Sequence, residues 1–213
     1  MARLGRSTVL ALALMVWPFA GPLAHSHEAH FQDAHLKPLK ELARTKVAAW
    51  VAEELCIEAV KAQNSVTATI PQRLIDSLDF QWRIETVRSE RPLINQVLSK
   101  ALSARLAVLK DAMKGAVTEI VVMDGRGLNV AASDIDSDYW QGDEEKWRKT
   151  YLVGPGATYL GHVELDTSTD LFQAEVSMTI TDPESGRVIG AIAVGVDLDR
   201  LADLQDRAKA GPF

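Results

Sequence analysis

The stretch that decides the fold is residues 179–197, TITDPESGRVIGAIAVGVD. Its segment Asp182–Gly186 combines Asp, Pro, Ser and Gly, which is typical of a turn between strands. The apolar run Arg187–Val196 follows the turn and ends at Asp197. The run Phe172–Thr181 precedes it, so the two runs predict an antiparallel pair of strands near the end of the chain.

Three more strands are predicted upstream of this pair. Glu119–Met123 and Leu128–Ala132 flank the turn Asp124–Gly127 and predict a β-hairpin. Thr158–Leu165 is the third candidate, and Glu144–Tyr151 between them predicts a short helix.

Helical periodicity dominates the chain before Gly115. Apolar residues recur at three- and four-residue steps over residues 36–60, and a polar break is expected at Gln63–Ser65. Pro71 begins a second helical stretch, and Pro92 begins a third that ends at Gly115. Helices followed by five strands predict an α+β fold, with long N-terminal helices packed on a five-stranded antiparallel sheet. Residues 198–207 predict a short closing helix.

The first 26 residues have the layout of a cleavable signal peptide. Arg3 and Arg6 precede the apolar run Thr8–Ala20, and small residues allow cleavage after Ser26 or, as a second choice, after Ala24. The apolar run is well short of the roughly 20 residues that span a bilayer. We therefore expect a periplasmic protein with no membrane span after removal of the signal.

The composition excludes several classes of protein. Loss of Arg3 and Arg6 with the signal would take the net charge from −6 to about −8, which argues against nucleic acid and anionic membrane as partners. Cys56 is the only cysteine, so no internal disulfide can form, and its apolar neighbours favour burial. Hydrophobic residues make up 47% of the chain, which is ordinary for a globular domain.

Three segments carry a resemblance to a known family. They are residues 119–130 (EIVVMDGRGLNV), residues 137–144 (SDYWQGDE) followed by Trp147, and the closing hairpin 179–197. In this order and spacing they resemble the single Cache family, the PAS-like sensor domains found outside bacterial cytoplasmic membranes. The resemblance covers roughly Pro92–Leu201.

The resemblance implies a long N-terminal helix against a five-stranded sheet, with a ligand site between the sheet and the segment that crosses it. Family ligands are small organic acids, amino acids and similar solutes. Members usually continue into a second membrane helix and a signalling domain, neither of which this sequence contains, so a stand-alone sensor is expected. The expected organisation is a signal peptide (1–26), an N-terminal helical region (27–90), a Cache-like domain (91–201) and a C-terminal tail (202–213).

Aromatic and polar residues of the crossing segment and the nearby strands are the candidate ligand contacts. Aromatic walls with a few placed polar groups are typical of small-molecule sites. The candidate residues are Asp138, Tyr139, Trp140, Gln141, Asp143, Trp147, Tyr159, His162 and Gln173. Thr158 and Glu175 are further strand positions that could point inward, and Lys146, Arg148 and Lys149 are the nearby cations.

Two groups of residues have the side chains of metal ligands. Asp134, Asp136 and Asp138, with Glu145, have the acidic spacing of a calcium loop, but Tyr139 stands where the loop needs glycine. The leader histidines could bind copper, nickel or zinc. They are His25, His27, His30 and His35. We expect neither a metal nor another cofactor.

Catalytic signatures are absent from the sequence: it has no Gly-x-Ser-x-Gly, no His-Glu-x-x-His and no phosphate-binding loop. The sequence therefore predicts a periplasmic, non-catalytic domain that binds a small molecule of organic-acid or amino-acid type. It would act through a membrane-bound signalling partner, and a homodimer is compatible with the apolar helices. The alternatives are an interaction module with a lost pocket, a periplasmic metal-binding protein and, less favoured, a hydrolase.

Overall fold

A computed structural model of the chain describes residues 36–166 and 171–210. The predicted signal peptide, residues 1–26, lies outside the described residues. So do the leader histidines considered as metal ligands, His25, His27, His30 and His35.

Helices form most of the first half of the structure. Residues 36–42 are helical and continue through a π-helical turn, Ala43–Val47, into α1, Ala48–Val51. The other helices are α2 (Glu54–Thr67), α3 (Gln72–Thr86), α4 (Pro92–Leu98), α5 (Ala101–Ala112), α6 (Glu145–Arg148) and α7 (Leu198–Ala210). None of the helices between residues 36 and 210 has the length and hydropathy that a membrane crossing requires.

The described residues contain six strands: β1 (Val117–Asp124), β2 (Asn129–Ala132), β3 (Thr158–Leu160), β4 (Glu164–Asp166), β5 (Leu171–Thr181) and β6 (Val188–Asp197). They form one antiparallel sheet in the order β2-β1-β6-β5-β3, with β4 also paired to β5.

The predicted α+β fold with a PAS-like antiparallel sheet is confirmed. The sheet has six strands and not five, because the predicted strand Thr158–Leu165 is interrupted at residues 161–163. Both pieces pair with β5, and the Gly161 N–H still donates to the Glu175 carbonyl at 2.8 Å. The third predicted helix is also divided, with a break at Ser99–Lys100, and α7 extends into the predicted C-terminal tail.

The two faces of the sheet bury different kinds of side chain. Side chains alternate along a strand, so each strand contributes to both faces. On one face the large residues of β1, β5 and β6, such as Val122 and Val194, pack against Val47 and Val60 of the N-terminal helices. The N-terminal helical region therefore shares its core with the sheet. On the other face the sheet presents small residues such as Ala193, which pack with Trp147 of the crossing helix α6.

The expected polar break at Gln63–Ser65 is wrong, because these residues lie inside α2. Their side chains tie the helix to the sheet. Asn64 Nδ2 donates to the Ile189 carbonyl at 2.7 Å, and Asn64 Oδ1 accepts from the Gly125 N–H at 2.9 Å. Polar residues at the end of a predicted helix can therefore be contact positions as well as helix breakers.

Replacing Asn64 with Ala should destabilise the fold by about 2 kcal/mol, since it removes two hydrogen bonds between α2 and the sheet ends. The matched control is Ser65→Ala in the same helical turn, because the Ser65 hydroxyl donates to the Ala62 carbonyl within α2 and makes no hydrogen bond with the sheet among the described residues. The control should change stability by less than about 0.5 kcal/mol. Urea unfolding measures both, and equal effects of the two substitutions would contradict the assignment.

Candidate ligand-binding site

A cavity of about 530 Å³ lies where the crossing segment covers the small-residue face of the sheet. Its floor comes from β1, β5 and β6, and its walls come from the start of α6 and from residues 159–164 at the sheet edge. This volume falls within the range of small-molecule sites.

Gly195 forms the centre of the floor, between two glutamates. In the sheet register Gly195 is paired with Glu119 on one side and with Glu175 on the other. All three residues line the cavity, and two strand spacings put the glutamate Cα atoms about 10 Å apart. A Cβ at position 195 would lie 2.5 Å from Thr118 Oγ1 and 2.9 Å from Glu119 Cγ, so a side chain here would crowd this end of the floor.

Burial makes Glu119 harder to ionise than an ordinary glutamate. Loss of solvent is the largest cause, and it raises the pKa of Glu119 to about 6. The negative charges of Asp136 and Glu175 act in the same direction, while Lys146 opposes them. Burial also raises the pKa of Glu175. The two floor carboxylates therefore lack the positive charge that would fully compensate them.

Lys146 is the cation that projects into this acidic cavity. Its side chain is 11% exposed, and Nζ lies 3.1 Å from Glu144 Oε2 and 3.9 Å from Glu175 Oε2. Burial acts to lower the pKa of Lys146, but Asp136, Glu175 and Glu144 together outweigh burial and raise it. Lys146 is thus charged and already engaged by carboxylates.

The charge balance of the cavity is negative. The carboxylates that line it are Glu119, Asp143, Glu144, Glu145, Glu164 and Glu175. Lys146 and His162 are the basic residues that line it. Because Glu119, Glu144 and Glu175 are partly shielded from water, the cavity favours a group with positive charge over an additional anion.

The structure brings four of the nine predicted contact residues to the cavity: Asp143, Tyr159, His162 and Gln173. The Tyr159 hydroxyl donates to Glu145 Oε2 at 2.5 Å, and Lys149 Nζ lies 4.6 Å from the centre of the Tyr159 ring. Burial, followed by the bond to Glu145, raises the pKa of Tyr159 to about 12. Tyr159 is therefore held at the rim as a neutral phenol.

Asp138 and Gln141 do not line the cavity but belong to a polar network behind it. The fully buried Gln141 donates through Nε2 to Asp136 Oδ2 at 3.0 Å and to Asp138 Oδ1 at 2.8 Å. Asp79 Oδ1 accepts from the backbone N–H groups of Tyr139 and Trp140 at 2.9 and 3.1 Å. This network holds the crossing segment in place beside the cavity.

The three other predicted aromatics pack outside this cavity. Trp147 donates through Nε1 to the Asp124 carbonyl at 3.0 Å and stacks on Tyr151. Trp140 donates through Nε1 to the Arg126 carbonyl at 2.9 Å. Tyr139 stacks on Trp82, with ring centres 5.5 Å apart, in a separate core cluster. None of the three lines the cavity.

The sequence analysis did not predict Glu119 and Glu144, two glutamates that contribute to the negative charge of the cavity. A signal for Glu119 was present, because it is a charged residue at the start of the apolar run of β1 and shares its face with Val121 and Met123. No signal in one sequence places Glu144 opposite the distant strand β5.

The acidic run considered as a calcium loop is used in other ways. Asp134 pairs with Lys110 at 2.5 Å, and Asp136 Oδ1 accepts from the Ser137 N–H at 2.6 Å. Within residues 36–166 and 171–210, no group of three or more His, Cys, Asp or Glu side chains has the geometry to hold a metal ion.

No protein-family model matches the chain, and no curated protein matches it. Solved structures with a similar arrangement include the sensor domain of the histidine kinase DctB of V. cholerae. It is 14% identical, with a TM-score of 0.35, over 83% of this chain and 60% of that one. The chain therefore spans less than two thirds of that domain.

Two further structures match in the same way. The sensory domain of the Campylobacter jejuni chemoreceptor Tlp3 with isoleucine bound is 13% identical, with a TM-score of 0.37, over 89% of this chain and 67% of that one. The extracellular domain of a candidate histidine kinase, vpHK1S-Z8, is 10% identical, with a TM-score of 0.44, over 85% and 59%. The DctB and Tlp3 structures are sensory domains, and the vpHK1S-Z8 structure is an extracellular domain.

Replacing Glu119 with Gln should stabilise the ligand-free protein at about pH 8 by about 2 kcal/mol. In the folded state the pKa of Glu119 is raised from 4.5 to about 6. Wild-type stability is therefore lost as the pH rises from the unfolded pKa through the folded one, and the glutamine variant escapes this loss. At about pH 4 the two proteins should be equally stable.

The measurement is urea unfolding of both proteins at the two pH values. Glu90→Gln is the matched control, because Glu90 is exposed and its side chain has no hydrogen-bond partner within residues 36–166 and 171–210; it should have no effect at either pH. A gain that is the same at both pH values would show that ionisation of Glu119 is not its cause.

Proposed function

We propose that this chain is a non-catalytic sensor domain that acts outside the cytoplasm and binds a small molecule with a protonated amine, of amino-acid type, in the 530 Å³ cavity. The observation that carries the proposal is the pair of half-buried glutamates, Glu119 and Glu175, in register on either side of Gly195. An ammonium group placed over Gly195 would offset the negative charge of Glu119 and Glu175, which Lys146 offsets only in part.

The negative charge of the cavity supports a ligand of amino-acid type over a purely acidic one. A dicarboxylic acid would add two negative charges beside carboxylates whose pKa values are already raised. An amino acid instead offers an ammonium for the floor and a single carboxylate, which would share Lys146 at the wall with Glu144 and Glu175. Hydrogen bonds between charged groups are stronger than those between neutral groups, so both the ammonium and the carboxylate of an amino acid would contribute to its affinity.

The signal would pass from the cavity to the helices through α6. Its start lines the cavity with Glu144, Glu145 and Lys146, and its Trp147 is bonded to the turn that α2 also contacts. A ligand that draws Lys146 or Glu145 into new contacts would favour one position of this short helix. Such a shift in population could change the helical surface presented to a membrane-bound signalling partner.

The alternative of an interaction module that has lost its pocket is not favoured, because the cavity is open and lined by charged groups that packing alone does not require. The metal-binding alternative concerns the leader histidines, which lie outside the described residues.

A thermal-shift screen of amino acids, amines and dicarboxylic acids tests the proposal, because a ligand that binds only the folded state raises the melting temperature. We expect stabilisation by an amino acid or amine and none by dicarboxylates. Glu175→Gln should weaken the binding of the amine ligand by about tenfold or more, since one charge-assisted bond is lost.

Glu90→Gln again serves as the exposed control and should bind as the wild type does. Stabilisation by dicarboxylates alone, or amine binding that survives both Glu119→Gln and Glu175→Gln, would refute the proposed site.

A further inference from the structure

A second cavity, here called the helix cleft, lies among α2, α3, α4 and α5 and has a volume of about 580 Å³. No residue lines both the helix cleft and the ligand cavity. Its walls are mainly aliphatic and include Leu74, Leu78 and Leu93. At the mouth, Val66 is 72% exposed and Leu74 is 43% exposed. The proposed sensor function leaves this cleft unexplained.

Lys100 supplies a positive charge to the helix cleft. Its Nζ donates to the Gln63 side-chain oxygen at 3.0 Å and to the Val130 carbonyl at 2.8 Å. An ammonium has three donors, so one remains. No carboxylate of the described residues lies within 4.0 Å of Lys100 Nζ, although the charge of Asp124 acts on it. Burial lowers the pKa of Lys100, and Asp124 opposes this.

Tyr139 contributes a second donor to the same cleft. The residue is 7% exposed and lines the cleft, while its ring stacks on Trp82. Its hydroxyl has no hydrogen-bond partner among residues 36–166 and 171–210. Burial, followed by the charge of Asp124, raises the pKa of Tyr139 to about 12, so the hydroxyl remains a donor. Asp124 thus lies within electrostatic range of both Tyr139 and Lys100.

We propose that the helix cleft is a binding site for a single-chain aliphatic carboxylic acid of medium length, with its carboxylate at Lys100 and Tyr139 and its chain along the leucines. The site has the usual form of a small-molecule site, which is an apolar cavity with a few polar groups that orient the ligand. Charge complementarity selects the acid: the carboxylate takes the remaining Lys100 donor and the Tyr139 hydroxyl.

Other polar groups of the cleft agree with this orientation. Glu58 also lines it, but its carboxylate bonds to Lys61 at 3.1 Å and is exposed. Gln63 uses its amide in bonds to Lys100 and to Asp124. Thr67 Oγ1 donates to Asp124 Oδ2 at 2.7 Å, and the exposed Gln96 offers an amide at the surface of the cleft. The charged donor of the cleft is therefore Lys100 and its buried neutral donor is Tyr139, while the exposed Val66 and Leu74 mark where the chain end would emerge.

The test is calorimetric titration of the purified protein with octanoate, nonanoate and decanoate, all below the concentrations at which they form micelles. Each added methylene should tighten binding about fourfold until the cleft is filled. Decylammonium and decanol, which carry the same chain, should bind at least about tenfold more weakly than decanoate.

Tyr139→Phe removes only a hydroxyl without a protein partner, so it should preserve stability and weaken decanoate binding by about tenfold. Tyr151→Phe is the matched control outside the cleft and should have no effect. Lys100→Met should abolish the preference for decanoate over decanol. If that variant does not fold, the comparison of Tyr139→Phe with Tyr151→Phe still tests the proposed site.

Several results would overturn the inference. They are no binding of decanoate, equal binding of decylammonium, or decanoate binding unchanged in Tyr139→Phe. A dimer at assay concentration that Val66→Glu dissociates would show that a second copy covers the cleft. Binding to anionic lipid vesicles without binding of free decanoate would assign it to a membrane. Loss of amine binding at Glu175 with decanoate binding intact would separate this site from the proposed sensor site.

Discussion

The buried carboxylate of Asp124, at the end of β1, is the constraint that joins the parts of this fold. It accepts hydrogen bonds from the side chains of Gln63 and Thr67 in α2 and from two backbone N–H groups of its own turn. The Asp124 carbonyl accepts from Trp147 in the crossing helix. A carboxylate removed from water is costly unless it is hydrogen-bonded in this way. The N-terminal helices, the hairpin turn and the cover of the ligand cavity therefore meet at one residue.

One face of the sheet contributes mainly to the stability of the domain, and the other face forms the ligand cavity. The face toward the N-terminal helices buries large aliphatic side chains that stabilise the domain. On the opposite face, the small residues Ala191, Ala193 and Gly195 leave room near α6, and the carboxylates lie around that space. Burial raises the pKa values of Glu119, Glu144 and Glu175, which lowers the stability of the ligand-free fold at neutral pH. A cationic ligand would reverse part of that loss, so binding and stability are linked.

The local sequence pattern predicts most of the helices and strands, but it does not predict which distant side chains contact each other. The closing hairpin and the β1–β2 hairpin follow from alternating apolar runs around Gly- and Asp-rich turns. The predicted polar break at Gln63–Ser65 is wrong because the polar side chains of Gln63 and Asn64 bond to partners 61 and 125 residues away in the sequence. The same limit on predicting distant contacts applies to the site. Tyr159, His162 and Gln173 line the cavity as predicted. Tyr139 and Trp147 are aromatic residues of the predicted kind, but they pack in other clusters.

The central claim, that an ammonium group binds over Gly195 between Glu119 and Glu175, can be measured on the carboxylate itself. Carbon-detected NMR can follow the titration of Glu119 without and with a saturating amino acid. The account predicts that Glu119 titrates near pH 6 alone. With the ligand bound, its pKa should fall by about one unit or more, because a nearby positive charge favours the carboxylate. An unchanged Glu119 titration in the saturated protein would contradict the claim.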